Sequence, residues 1–203
     1  MLHHETLLPG TLDLLTALSA HPVLTDFSLA GGTSLALRFG HRISEDLDFF
    51  SGVPFDNDAL VTTLKRDFAF EDRRRGPTGV TALVAGVKVD FVKYPYALLH
   101  PPEKLEGIRL LSLPDVVAMK LAAVTNRGAR KDFFDLYTLI GKLGLPHLIS
   151  CYQAKFPGTE PLMLLRSLCY FTDAESDVEP QSLIGLHWAE VKRGVSAAVK
   201  VLL

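Results

Sequence analysis

The sequence predicts an α/β (α+β) fold in which a small mixed sheet is followed by a C-terminal helical bundle. Short apolar strand-like runs alternate with helical patterns through the first 100 residues. The composition changes at His100-Pro101-Pro102, and beyond this point the chain reads as mainly helical. We therefore predict an α/β core over residues 1–100 and a helical part over 101–203 that closes a cleft against it. The 203 residues, 48% hydrophobic and 22% charged, suffice for one good core.

The elements of the first part follow from apolar spacing and from residues that begin or end helices. Pro22 ends a first helix, Gly40 ends a second, and Asp56 is suited to cap a third. Gly86 suits a hairpin between two β-prone runs. The predicted helices cover 9–21, 33–39 and 56–68, and the predicted strands cover 27–30, 47–50, 70–73, 80–85 and 87–94.

The second part begins with a clear helix signal. Ser112 is a suitable N-cap, and Pro114 and Asp115 are typical of a first helical turn. Gly144 is suited to end a later helix. The predicted helices cover 112–127, 129–142, 146–156, 160–171 and 187–202.

The charge balance gives no general attraction to nucleic acid, because the net charge is −2. Contact with RNA would need a local basic patch. Arg73–Arg75 is one candidate, although a solvated loop is the favoured interpretation, and Arg127 with Arg130 and Lys131 is another.

The N-terminus lacks a basic start followed by an apolar run, and no apolar run approaches the length of a membrane span. These patterns predict a cytoplasmic protein with no membrane partner.

A Gly-Gly turn follows the apolar run that ends at Ala30 and precedes a helical stretch. Glycine lets backbone N–H groups approach phosphate oxygens, and a helix N-terminus adds positive partial charge. We expect Gly31, Gly32, Thr33 and Ser34 to hold phosphates. An ordinary strand–turn–helix with Thr33 as N-cap also explains the pattern, and both interpretations can hold together.

Three aspartates lie on or beside apolar strands. Asp46 and Asp48 are separated by one residue, so a strand would present both on one face. Asp90 interrupts another apolar strand, VKVDFV. Acids in such strands cost stability unless they are solvated or bind a cation, and carboxylate oxygens suit Mg²⁺. A phosphate-binding turn beside these carboxylates is typical of nucleotidyl transfer.

The order of these blocks resembles the nucleotidyltransferase superfamily, and within it the AbiEii/AbiGii toxin group of toxin–antitoxin and phage-defence systems. The resemblance rests on Gly31-Gly32-Thr33, on His41 to Phe50, on Asp90 and on the late segment 120–135. It implies the minimal nucleotidyltransferase fold and two Mg²⁺ ions held by Asp46, Asp48 and Asp90. It also implies transfer of NMP from an NTP to an acceptor hydroxyl, on RNA (the 3′ end of tRNA included) or on a protein. A cognate antitoxin is a further implied partner.

The late segment adds further candidates. Lys120 is the sole charge in VVAMKLAAV; it either snorkels to solvent or, as the resemblance implies, faces the nucleotide. Asp132 and Asp135 lie three apart on one helix face. The resemblance favours catalytic roles for Lys120 and Asp132, and a structural role for Asp135. We expect Arg127 to bind nucleotide.

Arg42, which precedes the aspartate pair, is expected either to contact phosphate or to pair with an aspartate. His41 beside it is as consistent with a structural hydrogen bond as with a functional one.

Two alternatives to a toxin stay open. One is a nucleotide-binding regulatory or partner-binding module that keeps the fold without turnover. The other is a nucleotidyltransferase that modifies a small molecule outside toxin biology.

Overall fold

The computed structural model describes residues 1–202 of the chain, which form seven strands and eight α-helices. The strands are β1 (Phe27–Leu29), β2 (Leu47–Ser51), β3 (Phe70–Gly76), β4 (Gly79–Val84), β5 (Val87–Lys93), β6 (Glu103–Leu105) and β7 (Ile108–Leu110). The helices are α1 (Thr11–Ala20), α2 (Gly31–Phe39), α3 (Asn57–Asp67), α4 (Leu113–Asn126), α5 (Arg130–Leu143), α6 (Leu145–Lys155), α7 (Pro161–Leu168) and α8 (Trp188–Lys200).

The strands form one mixed sheet in the order β3-β4-β5-β2-β1-β7-β6. The pairs β2–β5 and β1–β7 are parallel, and the other neighbours are antiparallel. In β2, Leu47, Phe49 and Ser51 are buried, whereas Asp48 and Phe50 alternate with them on the other face. One face of the sheet is therefore committed to the core, and the other presents polar groups.

Two hydrophobic clusters form the core. The first joins α1, α3 and the core-facing side of the sheet, and runs from Leu2 to Leu110 along the chain. The second joins α4 to α8 and runs from Leu111 to Val199, with Ala30 and Leu35 contributed by the start of α2. Since α2 also places Leu37 in the first cluster, this helix ties the two together.

The predicted fold class is confirmed, as a mixed sheet accompanied by a largely helical second half. Strands β6 and β7, which enter the sheet after residue 102, have no counterpart among the predicted strands. The division into residues 1–100 and 101–203 stays a prediction, and the two core clusters divide about ten residues later. Within the described chain, every helix is too short or too polar to cross a bilayer.

Candidate active site

A cavity of about 230 Å³ opens between the polar face of the sheet and the helices α2, α4 and α5. Its walls contain most of the side chains that the sequence reading selected from four separate segments. They are Gly31, Gly32, Thr33, Arg42, Asp46, Asp48, Asp90, Lys120, Arg127 and Asp132. Phe50, Val116 and Met119 add an apolar wall that the sequence reading did not assign to the site.

The register of the central parallel pair brings two of the aspartates together. Asp48 on β2 lies directly opposite Asp90 on β5. Register partners on neighbouring parallel strands point to the same face, with about 4.8 Å between the strands. Asp46 lies one residue before β2 and lines the same cavity. The fold thus places the three carboxylates on the wall of one cavity.

Asp48 is the least compensated of the three acids. Burial, followed by the negative charges of Asp90 and Asp46, raises the pKa of Asp48. Within residues 1–202 no side chain forms an ion pair with it, whereas Asp46 and Asp90 both contact lysines. A bound cation would relieve this accumulated negative charge.

The N-terminus of α2 faces this acidic centre. Its own hydrogen bonding starts with the Ser34 N–H, which donates to the Ala30 carbonyl. The amides of Gly31, Gly32 and Thr33 therefore lack intrahelical acceptors. Gly31 adopts a positive φ of 65°, and a Cβ there would overlap the Asp48 carboxylate.

Gly32 is constrained by the Arg42 side chain rather than by its own backbone conformation. Its φ lies outside the left-handed region, and a Cβ there would overlap the Arg42 guanidinium. The positive φ that the Gly-Gly turn requires is thus located at Gly31. A side chain at Gly32 would disturb Arg42 in addition to any phosphate.

The structure separates Thr33 from Ser34, which the sequence predicts to hold phosphates together. The Thr33 hydroxyl bonds to the Ser44 hydroxyl at 2.8 Å and donates to the Asp46 carbonyl, so it fixes the segment before β2. Ser34 is fully buried and does not line the cavity, and its N–H donates to the Ala30 carbonyl. The expectation for Ser34 is therefore wrong, because its position in the first turn of α2 points it into the protein.

Asp135 forms the centre of a buried ionic network behind the cavity. It accepts from His41 Nε2 at 2.7 Å, from Arg42 Nε at 2.7 Å and Nη2 at 2.9 Å, and lies 2.8 Å from Lys120 Nζ. Burial opposes ionisation, but the charges of Arg42 and Lys120 hold the pKa of Asp135 well below its usual value. Of the two expectations for Arg42, the pairing with an aspartate is the one observed.

Lys120 belongs to the same network. It is only 5% exposed, and its Nζ lies 2.7 Å from Asp132 and 2.8 Å from Asp135. The snorkelling interpretation is therefore wrong, because the ammonium lies in the interior with two carboxylate partners. Asp132 also accepts a hydrogen bond from Arg127 Nε at 2.8 Å, and the Arg127 side chain is 60% exposed.

Two lysines complete the polar wall, and the sequence reading did not assign them to the site. Lys131 Nζ lies 3.0 Å from Asp46, and the Lys131 side chain is half-exposed. Lys88 Nζ lies 3.0 Å from Asp90 and 3.7 Å from Asp46. Burial opposes ionisation of Asp46, but Lys131 and Lys88 outweigh it and lower the pKa of Asp46.

In residues 1–202, no three His, Cys, Asp or Glu side chains are gathered tightly enough to enclose a metal ion. Lysine ammonium groups contact Asp46 and Asp90 instead. The donor set itself fits Mg²⁺, since it consists of carboxylates, one of which, Asp48, forms no ion pair with any of residues 1–202 and has a raised pKa. The assignment of metal to this site stays a prediction.

The sequence profile of the nucleotidyl transferase AbiEii toxin family, a type IV toxin–antitoxin system, matches residues 13–197. The chain belongs to this family. The predicted resemblance is thereby confirmed, and with it the enzyme class, nucleotidyltransferase. An uncharacterized protein of Aquifex aeolicus is 34% identical over an alignment of 188 residues, with a coverage of 88% for each of the two chains.

Solved structures agree with the AbiEii family assignment at the level of fold. JHP933 from Helicobacter pylori has a TM-score of 0.59 and 18% identity, over 98% of this chain and 90% of that one. MenT4, a nucleotidyltransferase toxin from Mycobacterium tuberculosis, has a TM-score of 0.58 and 21% identity, over 86% of this chain and 75% of that one.

Most members of the two basic clusters of this AbiEii-family chain are paired within the chain. Arg75 pairs with Asp58 and Asp72, and Arg73 pairs with Glu71. In the other cluster, Arg127 bonds to Asp132, Lys131 to Asp46, and Arg130 to the carbonyls of Ala174 and Glu175. Each arginine or lysine named here already has a partner within the chain.

We expect Gly31→Ala to impair nucleotide binding and to lower stability by more than its backbone conformation alone would cost. An alanine at positive φ costs about 1–2 kcal/mol, and the new Cβ also displaces the Asp48 carboxylate. Gly10 is the matched control, because it precedes α1 with a φ of 80° and has open space around it. Thermal unfolding and calorimetric NTP binding measure both effects. Equal losses of stability in the two alanine variants, with NTP binding intact, would contradict the close approach at Gly31.

Proposed function

We propose that this protein transfers a nucleoside monophosphate from an NTP to an acceptor hydroxyl in a Mg²⁺-dependent reaction. The observation that carries the proposal is the direct register of Asp48 and Asp90 beside the N-terminus of α2, in one cavity. The acceptor oxygen bonds to the α-phosphorus, the bond from this phosphorus to the bridging oxygen breaks, and pyrophosphate leaves. Asp90 would assist removal of the hydroxyl proton.

In this proposal Asp46 and Asp48 would hold two Mg²⁺ ions, and Asp90 would share one of them. When bound, Mg²⁺ neutralises the triphosphate and lowers the pKa of the acceptor hydroxyl. The amides of Gly31–Thr33 would bind the β- and γ-phosphates at the helix N-terminus. Arg127 is 60% exposed at the cavity wall, so it retains a face for phosphate.

Lys120 and Asp132 have a defined place in this proposal. Their buried ion pair fixes α4 against α5, and these two helices form the wall opposite the sheet. The helical part would close the cleft through this wall. Because Lys120 already has two carboxylate partners, we assign its contribution to the electrostatics and shape of the site rather than to a free ammonium.

The proposed biological role is that of the toxin in a toxin–antitoxin pair. Membership of a type IV toxin family supports it and implies a cognate antitoxin as partner. The acceptor is proposed to be RNA, with the 3′ end of tRNA as the first candidate, or a protein hydroxyl. The NTP substrate places the proposed reaction in the cytoplasm.

Incubation with each of the four NTPs labelled at the α-phosphate, together with total RNA and protein, tests the reaction. We expect label from one NTP to enter a macromolecule in Mg²⁺, with release of pyrophosphate, and no transfer in EDTA. NTP binding without pyrophosphate release would instead support a regulatory module. Label confined to small molecules would support an enzyme outside toxin biology, and unchanged growth on expression would contradict the toxin role.

A further inference from the structure

Lys88 and Lys131 have no role in the chemistry proposed above, yet both point at its carboxylates. Lys131 from the first turn of α5 lies 3.0 Å from Asp46. Lys88 from β5 lies 3.0 Å from Asp90 and 3.7 Å from Asp46. The two ammonium groups therefore approach the acidic centre from two walls of the same cavity.

These contacts differ in kind from the buried ion pairs of the site. The side chains of Lys88 and Lys131 are each 47% exposed, whereas Lys120 is 5% exposed and Asp135 is completely buried. Half-exposed ion pairs contribute little net stability and break readily, while removal of one partner from a buried pair is costly. Lys88 and Lys131 can therefore leave Asp46 and Asp90 for other partners at little cost in stability.

Their positions also suit a second set of partners. Lys88 and Lys131 line the cavity together with Gly31 and Gly32, where the proposed function places the triphosphate. A lysine stem has four rotatable bonds, so its ammonium can move several ångströms without any backbone change. Release from a carboxylate would leave each ammonium free to meet a phosphate oxygen.

We propose that Lys88 and Lys131 are triphosphate-binding residues that exchange partners during substrate binding. In the metal-free protein they neutralise Asp46 and Asp90, and they give up these carboxylates to the divalent cation. They then pair with the triphosphate that arrives with it. This inference rests on the proposed function, because it takes the three aspartates as metal ligands.

The exchange has a signature that a purely structural role would not produce. If a lysine competes with the cation, its removal should strengthen binding of the cation alone and weaken binding of the cation–NTP complex. We expect roughly three- to fivefold changes in each direction, in keeping with half-exposed ion pairs. A lysine that only stabilises the fold would leave both affinities unchanged.

Calorimetric titration of the full chain with Mn²⁺, first alone and then with a non-hydrolysable NTP analogue, tests this exchange. The variants are Lys131→Met and Lys88→Met, with Lys131→Arg as the charge-preserving variant. Lys142→Met is the control on α5, and Lys104→Met is the control on the exposed edge strand β6. We expect both test variants to bind Mn²⁺ more tightly and the Mn²⁺–NTP complex more weakly, and the controls and Lys131→Arg to match wild type.

A second readout needs neither metal nor turnover. Without metal, Lys131→Met leaves Asp46 beside Asp48 and Asp90 with less compensation, so its melting temperature in EDTA should fall below that of Lys142→Met. Unchanged or weaker Mn²⁺ binding in both test variants would overturn the exchange, as would unchanged affinity for the Mn²⁺–NTP complex. Absence of Mn²⁺ binding in the wild-type chain would instead overturn the metal assignment of the proposed function, and the exchange with it.

Discussion

Asp48→Asn is expected to abolish nucleotide transfer while the protein stays folded. Asp48 lies opposite Asp90 in the sheet register and has the least compensated charge of the cavity. Loss of a metal ligand removes several kcal/mol of transition-state stabilisation, on the order of a thousandfold or more in rate. Asparagine keeps the shape that packs against Gly31, so the change is confined to the charge.

The same variant should raise the melting temperature in EDTA. Burial and the neighbouring acids disfavour the ionised form of Asp48, so replacement of this carboxyl by a neutral amide removes that penalty. Asp26→Asn is the control, since Asp26 is exposed and lies outside the cavity. Transfer by Asp48→Asn at a rate close to that of Asp26→Asn would exclude the metal assignment.

Asp135→Ala is expected to have the largest effect on stability. Asp135 is fully buried, accepts a hydrogen bond from His41 and compensates the charges of Arg42 and Lys120. Its removal leaves two buried cations short of a partner, which typically costs about 3–5 kcal/mol. Urea unfolding measures this loss. As a control, Glu71→Ala breaks only an exposed pair and should cost less than about 1 kcal/mol.

The network also predicts the direction of acid unfolding. The folded-state pKa of Asp135 lies well below its unfolded value of about 3.9. Its contribution is therefore fully present above this unfolded value and is lost as the pH falls through the folded pKa. Asp135→Asn should unfold with a shallower dependence on pH below about 4. An acid limb identical to that of wild type would contradict the ionic assignment of Asp135.

The acidic centre was predictable from sequence because its residues stand in recognisable local sequence patterns. Asp46 and Asp48 flank one apolar residue, and Asp90 interrupts an apolar strand, so their chemistry is visible without a fold. The pairing of Asp48 with Asp90 needed the parallel register of β2 and β5, which no local pattern encodes. The sequence could also have placed Lys88 in the site, because residues two apart on a strand share a face and Lys88 precedes Asp90 by two.

Other features depend on tertiary contacts that a single sequence does not reveal. The direction of Lys120 is set by α5, which supplies both of its carboxylate partners across the helix interface. Ser34 could not be told from Thr33 by residue type, since burial alone separates their roles. The strands β6 and β7 have three residues each and follow Pro101-Pro102, so they read as loop.

The central claim is that the three aspartates and the start of α2 form one metal–triphosphate site. A crystal structure with Mn²⁺ and a non-hydrolysable NTP analogue, with anomalous scattering recorded for manganese, tests it most directly. We expect manganese peaks bound by Asp46, Asp48 and Asp90, with phosphate oxygens against the amides of Gly31 and Gly32. Manganese absent from these carboxylates, or a triphosphate bound away from α2, would contradict the account.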